Sequence, residues 1–317
     1  MGCRAMIARD PMTFWRCLLT DVHFLEESTR TLTLQDGRSM GITEVGAGDG
    51  PVLFYFHGWP GSRVNVLSLH ATAQQQNIRV IGLDRPGIGL SSPQPGRTFL
   101  DWPKDVGEVA DQLNVDRFSV AGISGGGPYA LACAYVLRER LDSVGLIAGI
   151  GPFELGIEGM RKPNQQLFGM ATKANGLLRF FFWLGIARFI NNPEKLKTII
   201  NKMMADLPPV DREILAAPGL DDRFALELQQ AFRQGAKWAA KEGAMYPQPW
   251  GFALKDLPSV PTFLWHGELD VNVPIQMSHK IVNEAPHIQT NFFSDEGHIS
   301  LLAHHQTDIL RTLMLRE

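Results

Sequence analysis

The chain has 317 residues, 44% apolar and 20% charged, a composition that can bury a large core and excludes the disordered and fibrous classes. Thirty Lys and Arg against thirty-three Asp and Glu leave a net charge of −3 with no long run of either sign, so no electrostatic footprint for nucleic acid or an anionic membrane is expected. The length suits one α/β domain with an elaboration better than two separate domains.

Residues 1–28 read as an N-terminal extension. Arg4, Arg9, Asp10, Arg16 and Asp21 interrupt it before an apolar core of signal-peptide length can form, and Met6 stands where an N-myristoylation signal carries Ser or Thr. The cysteines, Cys3, Cys17 and Cys133, fall at unrelated spacings that suggest neither a disulfide framework nor a zinc site, so a reducing, cytoplasmic setting is expected.

From Arg30 to Leu34 and again from Ser39 to Val45 the pattern is β-like, with an Asp36-Gly37 turn between, which predicts an opening antiparallel hairpin. The later runs, Val52 to Phe56, Arg79 to Leu83, Phe118 to Ala121, Val144 to Ala148, Thr262 to Trp265 and Thr290 to Phe293, are short and nearly continuously apolar. Such strands bury both faces in a parallel sheet. Helical stretches alternate with them at Val64 to Gln76, Asp101 to Leu113, Gly127 to Arg140, Ile275 to Ala285 and Ile299 to Leu315. The alternation predicts a mostly parallel central sheet flanked by helices, with ligands beyond the carboxyl ends of the strands. Gly151 to Gly251 holds no convincing strand, so residues 152–250 are expected to form a helical cap inserted into a core of 29–151 and 251–317. Its most apolar window, Leu177 to Ile190, contains Arg179 and Arg188 and falls short of the ~20 residues of a spanning helix, so no integral membrane span is expected. The helix within it reads mainly as one buried between cap and core, with an apolar pocket or a lipid-touching lip as the other possibility.

The chemistry-bearing residues lie where strands end. Ser124 sits in Gly122-Ile123-Ser124-Gly125-Gly126, between a strand and a helix start. A nucleophile on so tight a turn needs small residues two before and two after it, which Gly122 and Gly126 supply. Taken alone, the same string also describes a turn that merely packs or cradles phosphate. Around it, His57-Gly58-Trp59-Pro60-Gly61 follows the Val52 strand, Glu268-Leu269-Asp270 follows the Thr262 strand, and Gly297-His298 follows the Thr290 strand.

Together these motifs resemble the α/β-hydrolase family in its capped serine hydrolase branch, from about Arg30 to the C-terminus. The resemblance implies a triad of Ser124, Asp270 and His298, in the family's chain order, with backbone N–H groups of Trp59 and Gly125 as oxyanion donors. It gives His57 and Gly58 supporting roles in the loop and Asp84 a structural one, and it leaves Glu268 and Glu154 as rival acids and His266 as a rival histidine. His-Gly-Trp-Pro is similar to the loop of epoxide hydrolases and dehalogenases, where the proline is commonly cis, but those relatives carry an aspartate where this chain has Ser124. Acyl transfer is therefore the expectation: cleavage of a small-molecule carboxylic ester, or a lactone or thioester, with an apolar portion, without cofactor or metal. Two rivals stay open, an amide or peptide hydrolase of the proline-iminopeptidase type and a non-catalytic ligand-binding member of the fold. Oligomeric state is not readable from the sequence.

Overall fold

The computed structural model describes residues 22–315, so the readings placed on Cys3, Met6 and Cys17 lie outside the described residues. A short helix α1 (Val22–Ser28) leads into β1 (Thr29–Thr33) and β2 (Ser39–Gly46), the antiparallel hairpin anticipated from the Asp36-Gly37 turn. The sheet continues with β3 (Val52–Phe56), β4 (Arg79–Leu83), β5 (Phe118–Ile123), β6 (Leu141–Ile147), β7 (Thr262–Gly267) and β8 (Gln289–Phe293). Its eight strands run in the order β1-β2-β4-β3-β5-β6-β7-β8, and every pairing from β4 onward through β3 to β8 is parallel.

Burial explains the continuous apolar runs of β3 to β7. The Thr290 to Phe293 run, expected to be buried on both faces, instead belongs to the edge strand β8, where Gln289, Thr290 and Asn291 are exposed and Phe292 and Phe293 half-buried. In β3, Phe54 and Phe56 join Phe118, Val120 and Trp102 on one face of the sheet, while Leu53 and Tyr55 join Val66, Trp265 and Leu310 on the other. Successive strand side chains point to opposite faces, so both parities must be apolar when helices cover both. Those helices are α2 (His70–Gln75), α3 (Trp102–Gln112), α4 (Gly127–Leu137), α11 (Ile275–Glu284) and α12 (Ser300–Met314). The helix expected from Val64 begins differently: Arg63–Leu69 winds as a 3-10 segment before α2. It lies tight on β4, where a Cβ on Gly82 would come within 2.7 Å of a Val66 methyl.

Between β6 and β7 the regular elements are helical: α5 (Lys162–Lys173), α6 (Asn175–Gly185), α7 (Pro193–Met204), α8 (Pro209–Leu215), α9 (Leu220–Ala231) and α10 (Ala236–Gly243). Leu178, Phe182, Leu196, Ile200, Phe232 and Ala239 give these helices an apolar cluster of their own, against which Trp59 packs. One expectation needs correction here. Helix α6 is not buried all round: Leu178 and Phe182 face inward, while Leu177, Phe180, Phe181 and Trp183 stand 45–50% exposed. The segment is apolar on both sides, and composition by itself does not say which side meets a neighbour.

Candidate functional site

The strand order brings the two loops of interest together. From β3 the sheet proceeds through β4 on one side and through β5 on the other, so the carboxyl ends of β3 and β5 flank a switch in direction, where open α/β sheets form crevices. Phe56 pairs with Gly122, and the loops carrying Trp59 and Ser124 therefore emerge side by side.

Ser124 adopts φ +53°, the left-handed region that disfavours a residue with a Cβ and costs of order 1–3 kcal/mol. Close packing enforces the turn. A Cβ on Gly122 would overlap the Gly126 carbonyl oxygen, and one on Gly126 would overlap that of Phe56. Gly125 is as confined, with Trp59 N 3.1 Å from the position of its missing Cβ, and Ser124 Cβ and Oγ stand 3.5 and 3.9 Å from the corresponding position on Gly58. Backbone of Trp59 and Gly125 thus converges beside the Ser124 hydroxyl.

The Trp59–Pro60 peptide is cis. His57 is buried, and its Nδ1 donates to the Gly58 carbonyl at 2.8 Å. Burial, reinforced by the nearby Arg85 charge, holds its pKa well below the ordinary histidine value, so the ring stays neutral. Arg85 donates to the carbonyls of His57 and Gly58 at 2.5 and 2.9 Å and to Glu242 of α10 at 2.7 Å. The Tyr246 hydroxyl sits between Glu242 Oε1 (2.9 Å) and the Gly125 carbonyl (3.1 Å). This buried network, together with the Trp59 indole N–H donated to Ala239 O at 2.8 Å, fastens the loop after β3 to α10. Asp84 accepts from Arg63 N, Arg63 Nη1 and Leu90 N, each at 2.8 Å, a backbone-tying role of the kind anticipated for it.

At the other half of the site, loops after β7 and β8 are pressed together: Glu268 N donates to Phe293 O and Leu269 N to Glu296 O. Across that contact His298 Nδ1 lies 2.6 Å from Asp270 Oδ2. The other carboxylate oxygen of Asp270 accepts from Asn272 N and Val273 N at 2.8 and 2.9 Å. With Nδ1–H donated to the carboxylate, the free lone pair of His298 is on Nε2. Burial pushes the His298 pKa down, but the charge and hydrogen bond of Asp270 and the charge of Asp211 overcome it, leaving a pKa above the ordinary value. The rivals fare differently. Glu154 and Glu268 are exposed. His266 has both ring nitrogens engaged, Nε2 with the Val273 carbonyl at 2.8 Å and Nδ1 with Ser278 Oγ at 2.7 Å.

Ser124 and His298 line one cavity of about 990 Å³, whose wall includes Ile123, Leu167, Phe168, Ile199 and Ile200. Two polar groups of α9 also reach it, Arg223 and Glu227. Burial raises the Glu227 carboxyl above the usual carboxylate range, although Asn65 Nδ2 donates to it at 2.9 Å.

One group had no signal in the sequence. Asp211, fully buried on α8, accepts backbone N–H bonds from His298 (3.0 Å), Ile299 (2.9 Å) and Ser300 (2.9 Å). These are the loop of His298 and the first turn of α12, where unpaired N–H groups and the helix dipole favour an anion. The pairing spans 87 residues of sequence, and only the folded topology makes Asp211 a neighbour of His298.

A doubly wound sheet with a glycine-guarded serine at its switch point, and a histidine on the same cavity wall backed by a buried carboxylate, defines a member of the α/β class with a hydrolase-like site. A family model described as alpha/beta hydrolase fold matches residues 51–304, and the chain belongs to that family. Among curated relatives, it is 29% identical over 257 residues to a bifunctional esterase/perhydrolase of Acinetobacter calcoaceticus, covering 78% of this chain and 85% of that one. It is 25% identical over 268 residues to a 2-hydroxymuconate semialdehyde hydrolase of Pseudomonas putida, covering 80% and 82%. A further match, 34% identical over 140 residues, takes in 44% of this chain but only 36% of the dihydrolipoyllysine-residue acetyltransferase component of the acetoin cleaving system of Pseudomonas putida. In structure the chain superposes on a thermophilic esterase from Thermogutta terrifontis with a TM-score of 0.63 at 20% identity, over 89% of this chain and 96% of that one. Among the described residues no helix is long and apolar enough to cross a membrane.

Proposed function

We propose that the protein is a serine hydrolase that cleaves carboxylic esters with an apolar portion through an acyl-enzyme, with residues 152–250 as a cap over the core of 29–151 and 251–317. The observation that carries this reading is the 2.6 Å contact of His298 Nδ1 with the buried Asp270 Oδ2, His298 lining the cavity that Ser124 also lines. Ser124 is the nucleophile, His298 the general base and then acid, and Asp270 the group that holds the imidazole in its Nδ1–H tautomer. As the Ser124 oxygen attacks the carbonyl carbon, its proton passes to His298 Nε2 and negative charge collects on the former carbonyl oxygen. Backbone N–H groups of Trp59 and Gly125 meet that charge, and since they are fixed before reaction, each is worth about 3 kcal/mol to the transition state. The protonated His298 then gives its proton to the departing alcohol. Water repeats the attack on the acyl-enzyme with His298 again as base, releasing the acid and free Ser124.

The apolar cavity wall supports an apolar acyl or alcohol group, and a relative with esterase activity over most of its length supports ester chemistry. The test joins labelling to turnover. A fluorophosphonate is expected to label the wild type at Ser124 alone, and nitrophenyl esters of graded acyl length are expected to turn over faster than lactones or amino-acid anilides. Full esterase activity in Ser124→Ala would refute the assignment, and anilide turnover matching that of esters would move the reading to amide hydrolysis.

A further inference from the structure

The outer face of α6 has a composition that a water-facing surface does not require. At about 100° per residue, Trp183, Phe180, Leu184, Leu177 and Phe181 occupy an arc of roughly 160°. Of these, Leu177, Phe180, Phe181 and Trp183 are 45–50% exposed, on the side opposite the inward-facing Leu178 and Phe182. Phe180 touches both Phe181 and Trp183, with ring centroids 6.0 and 6.1 Å apart, so the exposed rings form one contiguous patch. Scattered exposed apolar residues are ordinary, whereas a contiguous aromatic patch marks a contact surface.

The charges around the patch narrow what it contacts. From Met160 to Asn192 the chain carries Arg161, Lys162, Lys173, Arg179 and Arg188 and no acidic residue. Arg161 is paired with Asp206, while Lys162, Lys173, Arg179 and Arg188 are all exposed. Helix α10, which packs against α6, adds exposed Lys237 and Lys241. The whole-chain charge of −3 hides this local excess. A second copy of the chain would bring like charges face to face, which disfavours self-association. An anionic bilayer interface complements both features, since aromatic rings settle at headgroup level and Lys and Arg pair with lipid phosphates.

We propose that the outer face of α6 docks on the surface of an anionic lipid bilayer, with Leu177, Phe180, Phe181 and Trp183 entering the interfacial layer and the surrounding Lys and Arg side chains binding phosphate headgroups. The patch adjoins the cavity of Ser124: Gly185, the last residue of α6, lines it, as does Met203, itself 45% exposed. Docking at this face therefore places the cavity beside the membrane, which suits substrates that partition into lipid. Lipid binding itself does not depend on the esterase reading, and the two are measured separately.

The test uses the full chain with vesicles of phosphatidylcholine alone and with about one-third phosphatidylglycerol. Co-sedimentation is expected to show at least about tenfold stronger partitioning onto the anionic vesicles at low salt, falling several-fold near 0.5 M salt as screening sets in. The variant Phe180→Ser/Phe181→Ser/Trp183→Ser is expected to lose about tenfold or more of that partitioning while turnover of a soluble nitrophenyl ester stays unchanged. Arg179→Glu/Arg188→Glu, which leaves the apolar residues in place, is expected to abolish the preference for anionic vesicles and serves if the triple variant does not fold. Absence of binding to either vesicle, undiminished binding by both variants, or a dimer that the triple variant dissolves without any vesicle binding by the wild type would each overturn the proposal.

Discussion

Replacing Asp211 by Asn is nearly isosteric, yet it changes the chemistry at the backbone of His298. Oδ1 of the wild-type carboxylate serves Ile299 N and Ser300 N at 2.9 Å, while Oδ2 serves His298 N at 3.0 Å. With the carbonyl of the substituted side chain in the Oδ1 position, the first two bonds survive as neutral ones, but the new amide nitrogen then meets the His298 N–H donor to donor. Losing one hydrogen bond to a charged acceptor and weakening two others is worth about 2–4 kcal/mol of stability. The His298 backbone must move to relieve the clash, and if His298 is the base proposed above, its displacement by an ångström costs on the order of 10²-fold in rate. We expect kcat/KM for a nitrophenyl ester to fall between about 10- and 100-fold with the protein still folded, read alongside urea unfolding to separate the two losses.

A pH profile adds a readout that loose packing does not produce. The Asp211 charge is one of the groups that raise the His298 pKa from 6.5, so its removal lowers that pKa and moves the acid limb of kcat/KM to lower pH. The stability linkage has the matching sign. A raised histidine pKa stabilises the folded state below the unfolded value of 6.5, and the contribution disappears as pH rises through the folded value. Charge loss at Asp211 should therefore narrow the stability gap between acidic and neutral pH. An Asp211→Asn enzyme with unchanged kcat/KM and an unchanged acid limb would refute the reasoning.

Four other outcomes follow from the same geometry. Ser124→Ala should lower kcat by about 10⁴-fold or more without a matching loss of stability, checked by steady-state rates and thermal unfolding. Wild-type kcat/KM should fall on the acid side around a pKa above 6.5, because His298 must be neutral to accept the Ser124 proton; a flat profile down to pH 5 would remove His298 from the role of base. Gly126→Ala drives a methyl into the Phe56 carbonyl oxygen and should destabilise the fold by roughly 3 kcal/mol or more while disturbing the turn at Ser124, measured by urea unfolding and fluorophosphonate labelling. Glu242→Gln leaves buried Arg85 and Arg97 without their common carboxylate and should cost about 3–5 kcal/mol, with kcat falling more than KM rises, since Arg85 holds the loop that presents Trp59 N.

The sheet was legible because its physics is local. A strand covered on both faces must be apolar at both parities, so β3, β4 and β5 announced themselves as runs, and the residues just after them were natural places to look for chemistry. Gly122 and Gly126 were legible for a related reason: each lies two residues from Ser124, and the steric demand of the turn is written at that spacing. Asp270 and His298 needed the family resemblance, because an acid and a histidine 28 residues apart mean little until the loops after β7 and β8 are known to touch. Beyond that range the sequence pattern is silent. The orientation of α6 depends on which neighbours accept Leu178 and Phe182, and a helix apolar on both sides carries no mark of the answer.

Asp211 and Glu242 share a trait that explains why neither could be read from the chain. Each is a carboxylate on a helix of the segment between β6 and β7, buried at the boundary with the sheet domain, and each neutralises groups supplied by a loop that presents a functional atom. Asp211 holds the backbone of His298, and Glu242 holds Arg85, which in turn holds the carbonyls of His57 and Gly58. Buried charges of this kind are costly unless each finds its partner, so they keep their geometry only while the helical segment is seated on the sheet. Seating of that segment and alignment of both halves of the site are therefore coupled: a displacement of α8 or α10 strips a charge from the His298 loop or the Trp59 loop. The coupling predicts that loosening the segment through its own core, as in Phe182→Ala at a cost of about 3–5 kcal/mol, lowers kcat even though Phe182 does not line the cavity of Ser124. Hydrogen exchange of the His298, Ile299 and Ser300 amides checks it directly: faster exchange in Phe182→Ala, with exchange in β3 and β5 unchanged, is the expected pattern, and unchanged exchange at all three amides would break the proposed link.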